Sequence, residues 1–77
     1  MVPVMRSVES STVSRVGYDP RSSSLFVQFT SGALYEYLRV PERVWRGLLR
    51  ASSHGRYFNT HVKDAGFRFR RLDCQSR

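Results

Sequence analysis

The fold is decided by residues 25–38, which run Leu25-Phe26-Val27-Gln28-Phe29-Thr30-Ser31-Gly32-Ala33-Leu34-Tyr35-Glu36-Tyr37-Leu38. Two apolar-rich runs with period-two alternation flank a short polar segment, and this pattern is typical of a β-hairpin. A three-residue loop that ends in glycine is a common hairpin form, because the last loop residue takes a positive φ. The stretch therefore predicts two antiparallel strands joined by a tight turn.

The length of the loop sets the register, and two registers are open. A three-residue loop pairs Val27 with Tyr35 and Leu25 with Tyr37, which places both tyrosines on the inner face. A two-residue turn that starts at Ser31 instead moves both tyrosines to the opposite face, because side chains alternate between faces. Serine is a poor first residue for such a turn, so we favour the three-residue loop. In that register Tyr35 and Tyr37 are mainly structural and pack under a helix, and stacking on bases is their alternative role.

The segments on either side of the hairpin complete an α+β pattern. Residues 12–18 are short and β-branched, which predicts a strand in which Gly17 favours a bulge. A helix follows Pro41, and a second helix begins after Ser53. The first helix has apolar residues at helical spacing, namely Val44, Trp45, Leu48, Leu49 and Ala51. Residues 67–72 alternate strictly and predict an extended segment. We expect a small antiparallel three-stranded meander, with the C-terminal segment as a fourth strand, and two helices covering one face.

Length and composition indicate one small domain. The chain has 77 residues, of which 40% are hydrophobic and 25% are charged. We expect residues 1–11 to form a flexible N-terminal arm, residues 12–72 the domain and residues 73–77 a frayed tail. No apolar run approaches the ~18 residues of a membrane span. The single cysteine, Cys74, forms no internal disulfide, so we expect a cytoplasmic protein without a membrane segment.

The positive charge is confined to the second half of the chain. Residues 1–42 hold four basic and four acidic side chains, whereas residues 43–77 hold nine basic and two acidic ones, which gives the net charge of +7. This asymmetry attracts polyanions, and the arginine fork fits phosphate. Codon bias in a GC-rich genome explains most of the excess of arginine over lysine, but not the scarcity of acids. The candidate phosphate contacts are Arg43, Arg46, Arg50, Arg56, Lys63, Arg68, Arg70 and Arg71.

Each of these patterns also has an ordinary structural interpretation. A solvated helix face explains the stripe of Arg43, Arg46 and Arg50 about as well as phosphate binding does. The polar side of a terminal strand explains the arginines of residues 68–71 equally well. A second hypothesis is a protein-interaction or self-association module, because the favoured register leaves an apolar outer face. The candidate partner residues on that face are Phe26, Leu34 and Leu38.

The candidates for metal binding or nucleophilic catalysis are few. His54, His61 and Cys74 match no known zinc spacing, and a Cys-His pair would need an orienting group that the sequence does not place. We therefore expect no catalytic residue, no metal site and no cofactor, and the chain is not expected to be an enzyme. His61 is predicted to pack beside Tyr57, one helical turn earlier.

Six short motifs follow one another along the chain: Val16-Gly17-Tyr18-Asp19, Leu25-x-Val27-x-Phe29, Gly32-x-x-Tyr35-x-Tyr37, Val40-Pro41, Leu48-Leu49-x-Ala51-Ser52 and Gly55-x-Tyr57-Phe58-Asn59. This series resembles the KTSC domain family over about residues 10–72. The family is named for a C-terminal extension of some lysyl-tRNA synthetases, and it also occurs as free-standing bacterial and phage proteins. That attachment implies RNA binding, and the family pattern carries no catalytic or metal-binding residue. Residues 66–69 depart from the pattern, since relatives tend to carry aromatic residues with proline there.

The leading hypothesis is a small non-enzymatic module that binds RNA, or nucleic acid generally, through its arginine-rich second half. Contacts of this kind go to the phosphate backbone, so they supply affinity with little sequence specificity.

Overall fold

A computed structural model describes residues 3–72 and shows an α+β fold. The antiparallel sheet has five strands in sequence order, namely β1 (Arg6–Ser7), β2 (Val13–Asp19), β3 (Ser24–Phe29), β4 (Leu34–Tyr37) and β5 (Phe69–Arg71). The helices are α1 (Glu42–Arg50) and α2 (His54–Phe58), and α2 continues into a π-helical segment, Asn59–Lys63. The predicted class, the meander and the C-terminal strand are confirmed. The structure adds β1, which lies in the segment predicted to be a flexible arm. The predicted frayed tail, residues 73–77, lies outside the described residues.

The hairpin of β3 and β4 has the register that its three-residue loop predicts. Leu25 pairs with Tyr37, and Val27 pairs with Tyr35. The backbone N–H of Phe29 donates to the carbonyl oxygen of Ala33 at 2.8 Å, which closes the loop. The φ angle of the last loop residue, a glycine, is +98°, as this loop requires. Both tyrosines therefore lie on the inner face of the sheet, under the helices.

The prediction of a bulge at Gly17 is wrong. Gly17 pairs regularly with Phe26, and the register of β2 against β3 shifts between Val13 and Arg15 instead. A Cβ atom at Gly17 would lie 2.6 Å from Met5 Sδ and 3.2 Å from the backbone oxygen of Val4. Glycine is needed here because the N-terminal segment crosses the outer face of the sheet at this point.

The two helices divide the inner face of the sheet between them. Trp45 of α1 stacks on Tyr18 of β2, with ring centroids 5.8 Å apart. Phe58 of α2 makes edge-to-face contacts with Phe29 of β3 at 5.3 Å and with Tyr37 of β4 at 5.4 Å. Thus α1 lies over the early strands, whereas α2 lies over the later ones.

The buried core lies between the sheet and these helices. Its members are contributed by β2, β3, β4, the two helices, the π-helical segment and the turn before α1: Val13, Val16, Leu25, Val27, Tyr37, Val40, Leu48, Phe58 and Val62. The helix-side members recur at the spacing of four that an inward helix face requires, as Phe58 and Val62 do. In the part of the chain that the structure describes, no helix is long and apolar enough to cross a bilayer.

Candidate nucleic-acid interface

All eight predicted phosphate-binding side chains are exposed, but the structure does not gather them into one patch. Three lie on α1, over the early strands. Arg56 lies on α2, and Lys63 ends the π-helical segment that follows it. The other three lie in β5 or just before it, at the opposite end of the sheet order. The result is a broad basic surface with α2 in the middle, rather than a single arginine cluster.

The stripe on α1 is less positive than its arginines alone indicate. The Arg46 guanidinium donates two hydrogen bonds to Glu42 Oε2, at 3.2 Å from Nε and 2.8 Å from Nη2. Arg43 and Arg50 form no ion pair with any residue of the described range 3–72. These two arginines are therefore the α1 side chains that are best placed to meet phosphate.

Arg70 serves mainly to attach β5 to the sheet. It pairs in register with Glu36 of β4, and its Nε donates to Glu36 Oε1 at 2.8 Å. Glu36 is only 7% exposed, so this hydrogen bond compensates a buried carboxylate. The pair lies on the outer face, away from the helices. Arg71, by contrast, pairs with Tyr35 and so occupies a position on the inner face.

An aromatic cleft opens between the end of the sheet and the π-helical segment. It has a volume of about 370 Å³. We call it the aromatic cleft and define it by its lining residues, which are Thr12, Phe29, Ser31, Ala33, Tyr35, Tyr37, Phe58, Asn59, Lys63, Phe67 and Phe69. Among these lining residues, Lys63 carries charge and none carries a carboxylate. The sequence did not predict this cleft. The alternation of Phe67 and Phe69 indicates an extended segment with two rings on one face, but it does not show that β5 pairs with β4 and so completes the cleft.

The two tyrosines of the motif Gly32-x-x-Tyr35-x-Tyr37 differ in burial. Tyr37 is 6% exposed and belongs to the core, whereas Tyr35 is half-buried and borders the aromatic cleft. Their rings lie 6.3 Å apart with an interplanar angle of 25°. Burial, with a smaller contribution from Tyr35, raises the pKa of the Tyr37 hydroxyl above its ordinary value. The hydroxyl therefore remains neutral around pH ~7.

The rim of the aromatic cleft is formed by Phe69, which is 57% exposed. Its ring centroid lies 5.5 Å from that of Tyr35 and 5.3 Å from that of Tyr37. Three aromatic rings thus form a continuous surface that runs from the core to solvent.

The predicted apolar outer face is less open than the sequence indicated. Phe26 is only 3% exposed, so the prediction that it lies on an exposed partner face is wrong. Its cross-strand neighbours are Gly17, on which the N-terminal segment rests, and the ion-paired Glu36. Leu34 and Leu38, the other two candidate partner residues, are half-buried.

The two histidines make local structural contacts. His54 Nδ1 donates to the carbonyl oxygen of Leu48 at 2.8 Å and so binds an end carbonyl of α1. His61 packs against Tyr57 with ring centroids 4.2 Å apart, as predicted. Within residues 3–72, no three histidine, cysteine or acidic side chains gather as metal ligands would. Cys74 lies outside the described residues.

Comparison with known proteins agrees with the motif series. The sequence model of the KTSC domain family matches residues 9–67. A crystal structure of a KTSC domain protein from Yersinia pestis superposes with a TM-score of 0.86 at 36% sequence identity, and the match covers 91% of this chain and 97% of that chain. An uncharacterised protein of Stutzerimonas stutzeri is 45% identical over 67 residues, which are 87% of this chain and 94% of that protein.

A second kind of relative is a segment of a much larger protein. The lysine–tRNA ligase of Nostoc punctiforme is 36% identical over 64 residues. The match covers 83% of this chain but only 11% of the ligase. The chain is thus similar both to small free-standing proteins and to one part of a tRNA-charging enzyme.

Proposed function

This chain belongs to the KTSC domain family, and on that premise we propose that it is a small module that binds RNA and has no catalytic activity of its own. Its relatives include a segment of a lysine–tRNA ligase, a protein named for an RNA substrate. A domain attached to such an enzyme is well placed to hold RNA, and we propose the same role for this chain. We place this activity in the cytoplasm, in line with the single cysteine.

The observation that carries the proposal is the division of charge between the first and the second half of the chain. Residues 42–72 comprise α1, α2, the π-helical segment and β5, and they carry eight basic side chains against two acids, Glu42 and Asp64. All eight are exposed, and two of them are held in ion pairs by Glu42 and Glu36. The excess of basic over acidic side chains gives the helix layer and β5 a positive potential that favours a polyanion.

The mechanism of binding is electrostatic. Arg43 and Arg50 on α1, with Arg56 on α2, contact successive phosphates, and the guanidinium fork gives these contacts their geometry. Binding releases counterions from the nucleic acid, so the affinity falls as salt is added. Because phosphates are the same in every sequence, this surface discriminates poorly between sequences.

The proposal is tested by titrating fluorescently labelled single-stranded RNA, tRNA and duplex DNA with the full chain over a series of salt concentrations. We expect RNA to remain bound near physiological salt, with a linear fall of log K against log salt. Weak binding of all three nucleic acids that disappears with modest salt would mean that the charge is incidental.

A further inference from the structure

We propose that the aromatic cleft is a binding site for one unpaired nucleobase of single-stranded RNA, whose phosphate is held by Lys63. This inference rests on the proposed function and names the part of the ligand that this site accepts. The basic surface of the helix layer would supply affinity, and the aromatic cleft would select for a strand whose bases are not paired.

Contacting aromatic rings line one side of the cleft. Phe69 exposes 57% of its surface although it is a large apolar side chain, while its inner neighbour Tyr37 is 6% exposed. The ring centroids of Phe69, Tyr35 and Tyr37 lie 5.3 to 6.3 Å from one another. Exposed aromatic rings on a sheet are the surfaces on which proteins stack unpaired bases, since every base has a π face.

The aromatic cleft also carries positive charge. Lys63 is among its lining residues, and none of the others is charged. Arg71 lies on the same face of the sheet, because it pairs in register with Tyr35. A ligand that combines a planar ring with a nearby negative charge fits this combination, and a nucleotide is such a ligand.

The size and polarity of the cleft suit a single nucleotide. A volume of about 370 Å³ lies in the lower range of small-ligand sites, so it holds one nucleotide and not a helix. Asn59 and Ser31 also line the cleft, and their side chains offer the donors and acceptors that a base edge requires. A base in a duplex is stacked and paired, so it cannot enter the cleft without leaving the helix.

The inference is tested with single-stranded RNA that carries the fluorescent base 2-aminopurine, whose emission falls when it stacks on an aromatic ring. The full chain should quench this emission, and Phe69→Ala should abolish the quenching and weaken binding at least about fivefold. Phe69→Trp should retain both. Val4→Ala is the matched control, because Val4 is also a large exposed apolar residue, at 89% exposure, but lies outside the cleft. Far-ultraviolet circular dichroism of each variant would verify that it is folded.

A second measurement separates failure of this site from failure of the proposed function. Adenosine monophosphate is titrated into the isotopically labelled full chain, and we expect amide shifts at Tyr35, Asn59 and Lys63. If RNA binds with the expected salt dependence but Phe69→Ala and the control behave alike, the cleft assignment is overturned and the proposed function stands. If RNA does not bind, the proposed function and the cleft assignment fall together, and amide shifts with the mononucleotide would then show a site for free nucleotides instead of RNA.

Two other occupants of the aromatic cleft would also overturn the inference. Phosphotyrosine combines a ring with a phosphate, and larger amide shifts with it than with adenosine monophosphate would indicate a phosphopeptide site. A second copy of the chain would show as a dimer in analytical ultracentrifugation that Phe69→Ala converts to a monomer.

Discussion

Tyr37 links the core of the domain to its candidate binding site. Its ring packs edge-to-face against Phe58 on one side and contacts Phe69 on the other. Because it is almost fully buried, its hydroxyl resists ionisation, and Tyr35 adds to this effect. Tyr37 therefore has a structural role, whereas Tyr35 is open to the aromatic cleft.

This burial predicts a specific loss of stability at alkaline pH. A tyrosine in the unfolded chain ionises near pH ~10, and the pKa of Tyr37 in the folded chain is higher. Below pH ~10 the residue is neutral in both states and does not change the free energy of unfolding. As the pH rises through the folded-state pKa, the unfolded chain gives up the proton more readily, so the free energy of unfolding falls. Tyr37→Phe removes this loss, so the urea midpoint of the variant should fall less between about pH 7 and about pH 11 than that of the parent. Parallel pH profiles of the two proteins would contradict the assignment.

The Arg70–Glu36 pair gives a second prediction for a single residue. Arg70→Ala leaves a carboxylate that is 7% exposed without its ion-pair partner, so we expect the free energy of unfolding to fall by about 1–2 kcal/mol in urea denaturation. Adding Glu36→Gln to that variant should recover part of the loss, because the uncompensated charge is then absent. Arg68→Ala is the control, since Arg68 is exposed and has no ion pair with a described residue, and it should stay within about 0.5 kcal/mol of the parent. Equal losses in Arg70→Ala and Arg68→Ala would show that the pair contributes nothing.

The packing of α1 against α2 depends on a glycine in the middle of α1. A Cβ atom at Gly47 would overlap the hydroxyl and the ring of Tyr57 on α2. The side chain of Tyr57 is in turn held by its contact with His61, so it is not free to move aside without cost. The close approach of these two elements therefore explains a residue that is unfavourable within a helix.

Because of this contact, we expect the effect of Gly47→Ala on stability to change sign when Tyr57 is also replaced. Gly47→Ala alone should destabilise the protein, although alanine is the better helix former by about 1 kcal/mol. In a Tyr57→Ala background the overlap is gone, so Gly47→Ala should stabilise by up to about that amount. The four proteins of this cycle are compared by urea denaturation. A stabilising effect of Gly47→Ala in both backgrounds would show that Tyr57 does not restrict the position.

Strong local patterns in the sequence predict the central elements. Period-two alternation and the glycine loop place β3 and β4 in the right register, and apolar spacing together with Pro41 and Ser53 places the two helices. These signals act within a few residues of each other, so they do not depend on the rest of the fold.

Features that depend on distant pairing could not be predicted in the same way. The strand β1 has only two residues and no periodicity, so its place in the sheet depends on β2. The residues that precede β1 lie against Gly17, the cross-strand neighbour of Phe26. A glycine in a strand indicates that something approaches closely, but it does not identify the segment that does so. The aromatic cleft requires β5 to pair with β4, which joins Glu36 to Arg70 across 34 positions of sequence.

At the scale of the whole molecule, the sheet and the helix layer have different electrostatic roles. The first 42 residues, which form β1 to β4, have no net charge, and the second half carries all of it. Two acids of the first half, Glu42 and Glu36, are used to hold arginines of the second half. Strands β1 to β4 thus belong to a part of the chain without net charge, and the helices together with β5 carry the positive excess.

The central claim is that the position of the basic residues, and not the net charge alone, produces RNA binding. The most direct measurement compares two double variants that each remove two positive charges, in titrations of labelled single-stranded RNA over a range of salt. Arg43→Ala/Arg50→Ala changes α1, and Arg15→Ala/Arg21→Ala changes exposed residues of the first half. We expect the first variant to weaken binding and to reduce the slope of log K against log salt by about 1.4, which corresponds to two lost phosphate contacts, while the second retains the parent slope. Equal losses in the two variants would contradict the claim, because they would show that binding follows net charge.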